Sequence, residues 1–555
     1  MSKSICVVQS VEEIKFILKK IKKEVFFLPL DLSTQVYCIN NNIKFYNPIN
    51  LVSKNFHVDT LIYSKKLIEE IIFNSEFTES HKKEFKAIIR FRFHSIAFLL
   101  ELIEQLKKRD KINEIIVSGW DRYFGQYSKK NHFISYLVLN LIDDIKIISI
   151  ENCKYFNYSK NKNQELKIIN SGLDENKNYI LLTNLGYNFL RIVLNFKKKG
   201  KMMIVPLFDK INPIKKIIYK LLGVTFIKMQ EIKSQTYREV DLPEINFNYK
   251  NKDLSKVLNF RAKQEKLNFI KLLNQSKAID DFFKKMKINL VITNFTKGIH
   301  GYFVDLAKKK NINSICIPHG TLSKNFNNYD KIYKETISEA ITSLNSTYHV
   351  SQSFIAKEYF KNTNNKVINS GNILFSENKK NRKELKKILF AVTMKDFESI
   401  QILGVEMYYE FLDNLLFLDK IAQNNNLKFL IKLHPINYDN FNDLKKIFKN
   451  LEFSKDKITK ALNKAFATVS FSSSAIEDAL NSKCPVILLD RWKRYQHCDA
   501  ESDIKKRNIP LYYVNEEKDF IECINTISKS DKIDFTKYIS QSNFKDNINN
   551  LFNNF

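Results

Sequence analysis

Short apolar runs alternate with longer amphipathic stretches along nearly the whole chain, and this pattern constrains the fold more than any other feature. The runs at 5–8, 25–30, 60–63, 114–118, 145–150, 179–183, 202–206, 289–293 and 314–317 read as strands. Between them lie stretches such as 95–107, where Ile96, Leu99, Leu100, Ile103 and Leu106 recur at helical spacing. Strands separated by helices build α/β domains around parallel sheets, because a parallel pair needs a long crossover. A second series follows the charged stretch 376–387, with strands at 388–392, 428–433, 466–471, 486–489 and 511–514 and helices at 405–424 and 474–480. The expected architecture is α/β, with two Rossmann-like domains facing a cleft. One spans 1–375 with insertions, the other 386–535, and 536–555 forms a tail or closing helix. The region before 376 is also long enough for two sheets.

Composition narrows the function. Glycine and proline make up about 4% of the 555 residues, a third of ordinary usage, which excludes collagen-like and Gly/Pro-rich readings. No two of the 11 glycines are separated by a single residue, so G-x-G-x-x-G is absent, and so is G-x-x-x-x-G-K-[ST]. A glycine-fingerprint dehydrogenase, a P-loop NTPase and a protein kinase are disfavoured together. The net charge of +30 draws the chain to polyanions. Its lysines are dispersed, with no arginine-rich tail or basic block interleaved with aromatics, which disfavours nucleic acid. The seven cysteines form no C-x-x-C pair, so neither a zinc knuckle nor a redox pair is expected, and free thiols of a cytoplasmic protein are. The opening MSKSICVVQSVEE does not read as a secretory signal. No apolar run reaches the ~18–20 residues of a membrane span.

Ligands of open parallel sheets gather beyond the carboxyl ends of the strands, so polar residues just after strands are the candidates. LKFLIKLHP (427–435) ends in His434-Pro435, and Pro435 cannot continue a central strand. An imidazole placed there can donate to a phosphate oxygen or protonate a leaving phosphate; a histidine that merely ends a strand is the plainer alternative. Within 467–490 a strand runs into Ser472-Ser473-Ser474 and then a helix. Hydroxyls and free N–H groups at a helix start suit an anion, and Glu477, one turn inside, could meet ribose hydroxyls. Ser474-x-x-Glu477 is equally a capping box that needs no ligand. NINSICIPHGT (311–321) ends a strand in Pro318-His319-Gly320-Thr321, which offers His319 as a general base, an acceptor-site group or a simple turn histidine. Thr293-Asn294-Phe295-Thr296 ends another strand and could line the same cleft. Asp31 and Asp121 also follow strands, as candidate bases for an acceptor hydroxyl or as turn and cap residues. The cations of DRWKRY (490–495) could hold a diphosphate or an acidic sugar, or belong to a solvated loop.

Strand-His-Pro, then strand-Ser-Ser-x-x-x-Glu, with Pro-His-Gly upstream, resembles bacterial GT-B-fold transferases of surface and capsular polysaccharide synthesis. The His-Pro and serine motifs are similar to those of sialyltransferases and polysialyltransferases that use CMP-sugars. Pro-His-Gly-Thr with Lys-Leu-His-Pro is similar to CDP-glycerol glycerophosphotransferases. The resemblance covers 288–490. It implies a GT-B-like arrangement in which His434, Ser472, Ser473 and Ser474 contact the donor phosphate. It further implies that Glu477 lies near the donor ribose and His319 at the reaction centre. Such sialyltransferases carry an acidic pair before glycine as their base, and no such pair occurs here, which leaves the base and the donor open.

The expectation is a metal-independent glycosyltransferase without a cofactor. It would move a sugar from a nucleotide donor, for example a CMP-activated acidic sugar, to a surface glycan or lipid-linked acceptor. A CDP-alditol phosphotransferase and a catalytically inactive GT-B-like binding protein are the alternatives. The chain would be cytoplasmic, with an anionic membrane surface as a candidate partner. The stretch 210–222 (KINPIKKIIYKLL) sets Ile214, Ile217, Ile218, Leu221 and Leu222 at helical spacing beside Lys215, Lys216 and Lys220, with Pro213 suited to the first turn. Such a helix either lies in a membrane interface or packs its apolar face on the sheet.

Overall fold

The structure is a computed structural model. It describes residues 3–73, 77–121, 126–127, 133–150, 164–169, 173–186, 189–207, 211–233, 241–341, 345–361, 366–377, 382, 384–397 and 403–553. Three sheets organise the chain. The first has four parallel strands in the order Phe26–Pro29, Lys3–Val8, Ile112–Val117, Lys146–Ser149. The second begins at Lys366–Asn369 and continues through Tyr348–Ser351, Asn313–Cys316, Lys287–Thr293, Asn178–Leu182, Met202–Leu207 and Val224–Lys233, all parallel. Gln164–Ile169 closes its edge in antiparallel pairing. The third runs Leu451–Ser454, Lys428–Lys432, Lys387–Ala391, Ala465–Ser470, Val486–Leu489, Leu511–Val514, again parallel throughout.

Numbered along the chain, the parallel strands of the second sheet read 3-2-1-4-5-6-7 and those of the third 3-2-1-4-5-6. This is the doubly wound order, in which strand 1 and strand 4 lie side by side and their crossovers leave on opposite faces, opening a crevice at their carboxyl ends. The chain is thus α/β with two such sheets in tandem. Residues 1–375 hold two of the three large sheets, the four-stranded one preceding the doubly wound one. The third sheet starts at Lys387, at the end of the charged stretch. Part of that stretch, 378–381 and 383, lies outside the described residues.

The run 60–63 is not a strand; it lies inside the helix Phe56–Glu70. Phe56, His57, Thr60, Leu61, Ser64 and Leu67 are its buried positions, a helical spacing that overrides the local β preference of Thr-Leu-Ile-Tyr. The following helix, Glu79–Arg109, ties the three units together. Its Ser80 N–H donates to Asp305 Oδ2 at 2.9 Å, and its Glu84 accepts from Gly298 N at 2.9 Å. Its Ser95 hydroxyl donates to Phe397 O at 2.6 Å, and its Phe98 stacks on Tyr409 with centroids 5.5 Å apart. The tail forms the helix Phe544–Phe552, which returns to the second sheet. There Ile548, Leu551 and Phe552 are buried, and Phe552 lies 4.5 Å from Phe196.

Six cysteines are buried free thiols; Cys153 lies outside the described residues. Among the described residues, no helix is long and apolar enough to cross a membrane.

Candidate functional site

The clearest constellation sits at the switch point of the third sheet. Ser470 Oγ donates to Ala391 O at 2.7 Å and ties the two central strand ends together. Beyond them the chain diverges into Thr393 on one side and the serine run on the other. Thr393 Oγ1 and Ser473 Oγ stand 3.4 Å apart, and Ser473 Oγ also accepts from Ala475 N at 3.3 Å. Ser472 Oγ is bound to Gly404 O. Ser474 is the N-cap of the helix Ala475–Asn481 but makes no side-chain cap bond. The capping box read from Ser474-x-x-Glu477 therefore does not form, and Glu477 turns inward, fully buried.

His434 follows the adjacent strand Lys428–Lys432, one strand beyond Lys387–Ala391 from the serines. Two strand spacings put the two strand ends about 10 Å apart. Burial holds the His434 imidazole below its ordinary pKa, and the charges of Lys432 and Lys395 add to this. Burial likewise lowers Lys395 and Lys432. Neither lysine forms an ion pair within 4 Å among the described residues; Lys432 Nζ donates only to the carbonyl of Leu433 at 3.2 Å. Lys297, from the second sheet's edge, adds to the field at Lys395. The switch point thus gathers lysines and hydroxyls, with Asp396 and Asp478 sensed by Lys395 and Lys432 from beyond ion-pair distance. Asp478, the acid that Lys432 senses, accepts from Ser376 N at 2.7 Å.

Glu477 lies one turn below the serines. Burial pushes its carboxyl up to about 8, opposed by the nearby Thr321 hydroxyl, a shift that favours the neutral form. That hydroxyl falls short of full hydrogen-bonding geometry, and both carboxyl oxygens lack a sound partner. A neutral carboxyl can donate as well as accept, which suits a ligand hydroxyl. The contact also brings the Pro-His-Gly-Thr loop against the serine helix, joining the two doubly wound units.

At the switch point of the second sheet, Thr183 Oγ1 donates to Thr293 Oγ1 at 2.9 Å and Asn184 Nδ2 donates to Asn294 Oδ1 at 2.7 Å. His319 is exposed beside them, its Nδ1 3.2 Å from Asn294 O. A carbonyl oxygen only accepts, so Nδ1 is the donor in this contact, and in the neutral ring Nε2 holds the lone pair. Phe295 meets the ring edge-on at 6.0 Å. An exposed imidazole in this tautomer is a competent base.

Other candidates are placed elsewhere. Asp31 is the N-cap of Leu32–Asn40 in the first unit, accepting from Thr34 N at 2.7 Å and from Thr34 Oγ1 at 2.8 Å. It borders a separate cavity of about 640 Å³ against the segment 439–446. Asp121 pairs through its backbone with Gln126, and its side chain lies outside the described residues. Of the cations of 490–495, Lys493 is exposed and paired with Glu516, and Arg491 and Arg494 serve neither reading. Arg491 Nη1 binds Asp413 Oδ2 at 2.6 Å, and Arg494 Nη2 binds Glu410 Oε2 at 2.5 Å in a buried pair. Asp490 accepts from the N–H groups of Arg494 and Tyr495 and from Tyr513. This segment fastens a loop to the helix Tyr408–Asn425.

Sequence reasoning missed Thr393, Lys395 and Lys432. Thr393 and Lys395 carried one legible signal, since they are the first polar residues after the first strand of the C-terminal series. Among the described residues, no group of three or more His, Cys, Asp or Glu could hold a metal ion.

No family model matches this chain, and no curated protein does. Solved structures align over much of it. The UDP-GlcNAc 2-epimerase of Neisseria meningitidis, bound to UDP-GlcNAc, is 13% identical with a TM-score of 0.41, over 68% of this chain and 98% of that one. The UDP-GlcNAc 2-epimerase of Methanocaldococcus jannaschii is 13% identical with a TM-score of 0.38, over the same shares. The Anabaena protein HepE, in complex with UDP and glucose, is 10% identical with a TM-score of 0.35, over 64% and 93%. At such scores these alignments say nothing of chemistry, and the α/β class rests on the sheets themselves.

Proposed function

We propose that the chain is a metal-independent, GT-B-type glycosyltransferase that takes a sugar from a nucleotide donor, with CMP among the candidate nucleotides. One observation carries this reading: Lys395, Lys432 and His434 gather with Thr393 and Ser473 at a doubly wound switch point, while burial favours the neutral form of the Glu477 carboxyl. Half-buried lysines with no ion pair within 4 Å among the described residues are costly, and a donor phosphate would satisfy Lys395 and Lys432. In this reading Glu477 meets the donor ribose, and the second unit presents the glycan or lipid-linked acceptor. His319 Nε2 takes the proton of the acceptor hydroxyl as its oxygen attacks the anomeric carbon. The bond from that carbon to the donor phosphate breaks, and the electron pair leaves on the phosphate oxygen. The lysines and hydroxyls of the switch point stabilise that charge.

Thermal unfolding with CMP, CDP and UDP tests the donor site, since a nucleotide that binds only the native state raises Tm. The expected result is stabilisation by one of the three, and transfer of a sugar by product mass with the matching donor. A product carrying an alditol phosphate would favour the phosphotransferase alternative. Failure of every nucleotide to shift Tm would overturn the reading.

A further inference from the structure

The helix Pro213–Leu221 follows the strand Met202–Leu207, and the helix Leu190–Lys198 precedes it. Consecutive right-handed crossovers place both on one face of the second sheet, and Lys197 Nζ joins them by donating to Leu221 O at 2.7 Å. Leu190–Lys198 packs Ile192, Val193 and Phe196 inward, as a covering helix should. Pro213–Leu221 does not: Tyr219 is its one buried residue. Ile214, Ile217, Ile218 and Leu221, with Leu190 and Leu194 alongside, are 39–72% exposed. Of twelve large hydrophobics left exposed among the described residues, these two helices hold six. Singly exposed apolar side chains are ordinary, but a contiguous patch marks an interaction surface.

The charge around the patch selects its occupant. Residues 190–222 carry nine basic side chains and one acidic one. Lys198, Lys201 and Lys220 are exposed and have no ion-pair partner within 4 Å among the described residues. A second copy of so basic a face would repel the first. An apolar stripe edged by lysines is complementary to an anionic bilayer, whose headgroups meet the cations while the acyl boundary takes the aliphatic side chains. The helix also starts at the carboxyl edge of the sheet, the edge that carries His319.

We propose that Pro213–Leu221 and Leu190–Lys198 form a docking face for an anionic lipid bilayer. This does not depend on the nucleotide site. The test is co-sedimentation of the full chain with phosphatidylcholine vesicles, with and without phosphatidylglycerol, at about 0.1 M and about 1 M salt, where screening lengths are about 10 and 3 Å. The unmodified chain should pellet with the anionic vesicles at low salt and stay in the supernatant with the neutral ones. The double variant Lys198→Glu with Lys220→Glu should bind at least about tenfold more weakly. The overall +30 charge could adsorb the chain without insertion, so Ile217→Ser with Leu221→Ser decides; it should weaken binding about tenfold or more while circular dichroism stays native. Recovery in the supernatant under every condition would overturn the proposal, as would pelleting of the serine variant at the unmodified level. So would self-association of the unmodified chain that the serine variant abolishes in the absence of lipid.

Discussion

Thr393 and Ser473 face each other hydroxyl to hydroxyl, 3.4 Å apart, where the third sheet reverses its strand order. A contact of that length is weak for two hydroxyls, so both can turn toward a ligand oxygen that approaches them from one side. The neighbouring strand ends are fixed by the Ser470 bond to Ala391 O, and the pair therefore sits on a rigid base.

Ser473→Ala and His434→Ala should each abolish transfer. Loss of a contact made mainly to the departing phosphate costs about 3–4 kcal/mol, or roughly 10²–10³ in rate. Ser473 also accepts from Ala475 N, so its alanine variant should lose about 1 kcal/mol of stability as well. Steady-state rates beside denaturation curves separate the two effects. Near-normal turnover by both folded variants would refute the assignment.

Lys395→Met should weaken nucleotide binding without weakening the fold. Burial already disfavours the charged lysine, and methionine keeps the stem while removing the charge. Calorimetric titration should show affinity down by about tenfold or more, with Tm unchanged or raised. A lower Tm at unchanged affinity would mean that the lysine has a structural role.

The Glu477 carboxyl gives a pH signature. Its folded pKa is raised from 4.5 to about 8, first by burial. Between those values the folded chain keeps a proton that the unfolded chain releases. The group's contribution is therefore fully present below about 4.5 and is lost as pH rises through about 8. Glu13, Glu406 and Glu410 are raised by burial too, so the whole-protein profile mixes several groups. The difference between the unmodified chain and Glu477→Gln isolates one. The glutamine variant should show the shallower fall in Tm from pH 5 to pH 8; parallel curves would place the titration elsewhere.

Arg494→Ala should destabilise by about 3–5 kcal/mol, because it strands Glu410 without its buried partner. Urea denaturation measures this. Nucleotide affinity of the folded fraction should stay unchanged, which separates this arginine from the lysines of the switch point.

The sequence by itself determined the α/β class, because a strand or a helix announces itself by its own hydrophobic period. Val486–Leu489 and Leu511–Val514 are observed where that period put them. It determined His434 and Ser473 as residues at strand ends, since Pro435 and the serine run are local punctuation. Tertiary structure decided what no local signal carries. Residues 60–63 are β-branched and aromatic enough for a strand, yet the helix Phe56–Glu70 buries a stripe that extends well beyond them. Arg491 and Arg494 read as free cations until Asp413 and Glu410, some 80 positions away, proved to hold them. Thr321 and Glu477 are 156 residues apart in the chain and adjacent in space. The lysines of the switch point look like the dozens around them, and only the packing that half-buries them makes them distinct. The stripe of Pro213–Leu221 was legible as amphipathic, but the direction in which its apolar side faces depends on how the helix is rolled on the sheet, and Tyr219 is the side chain turned inward.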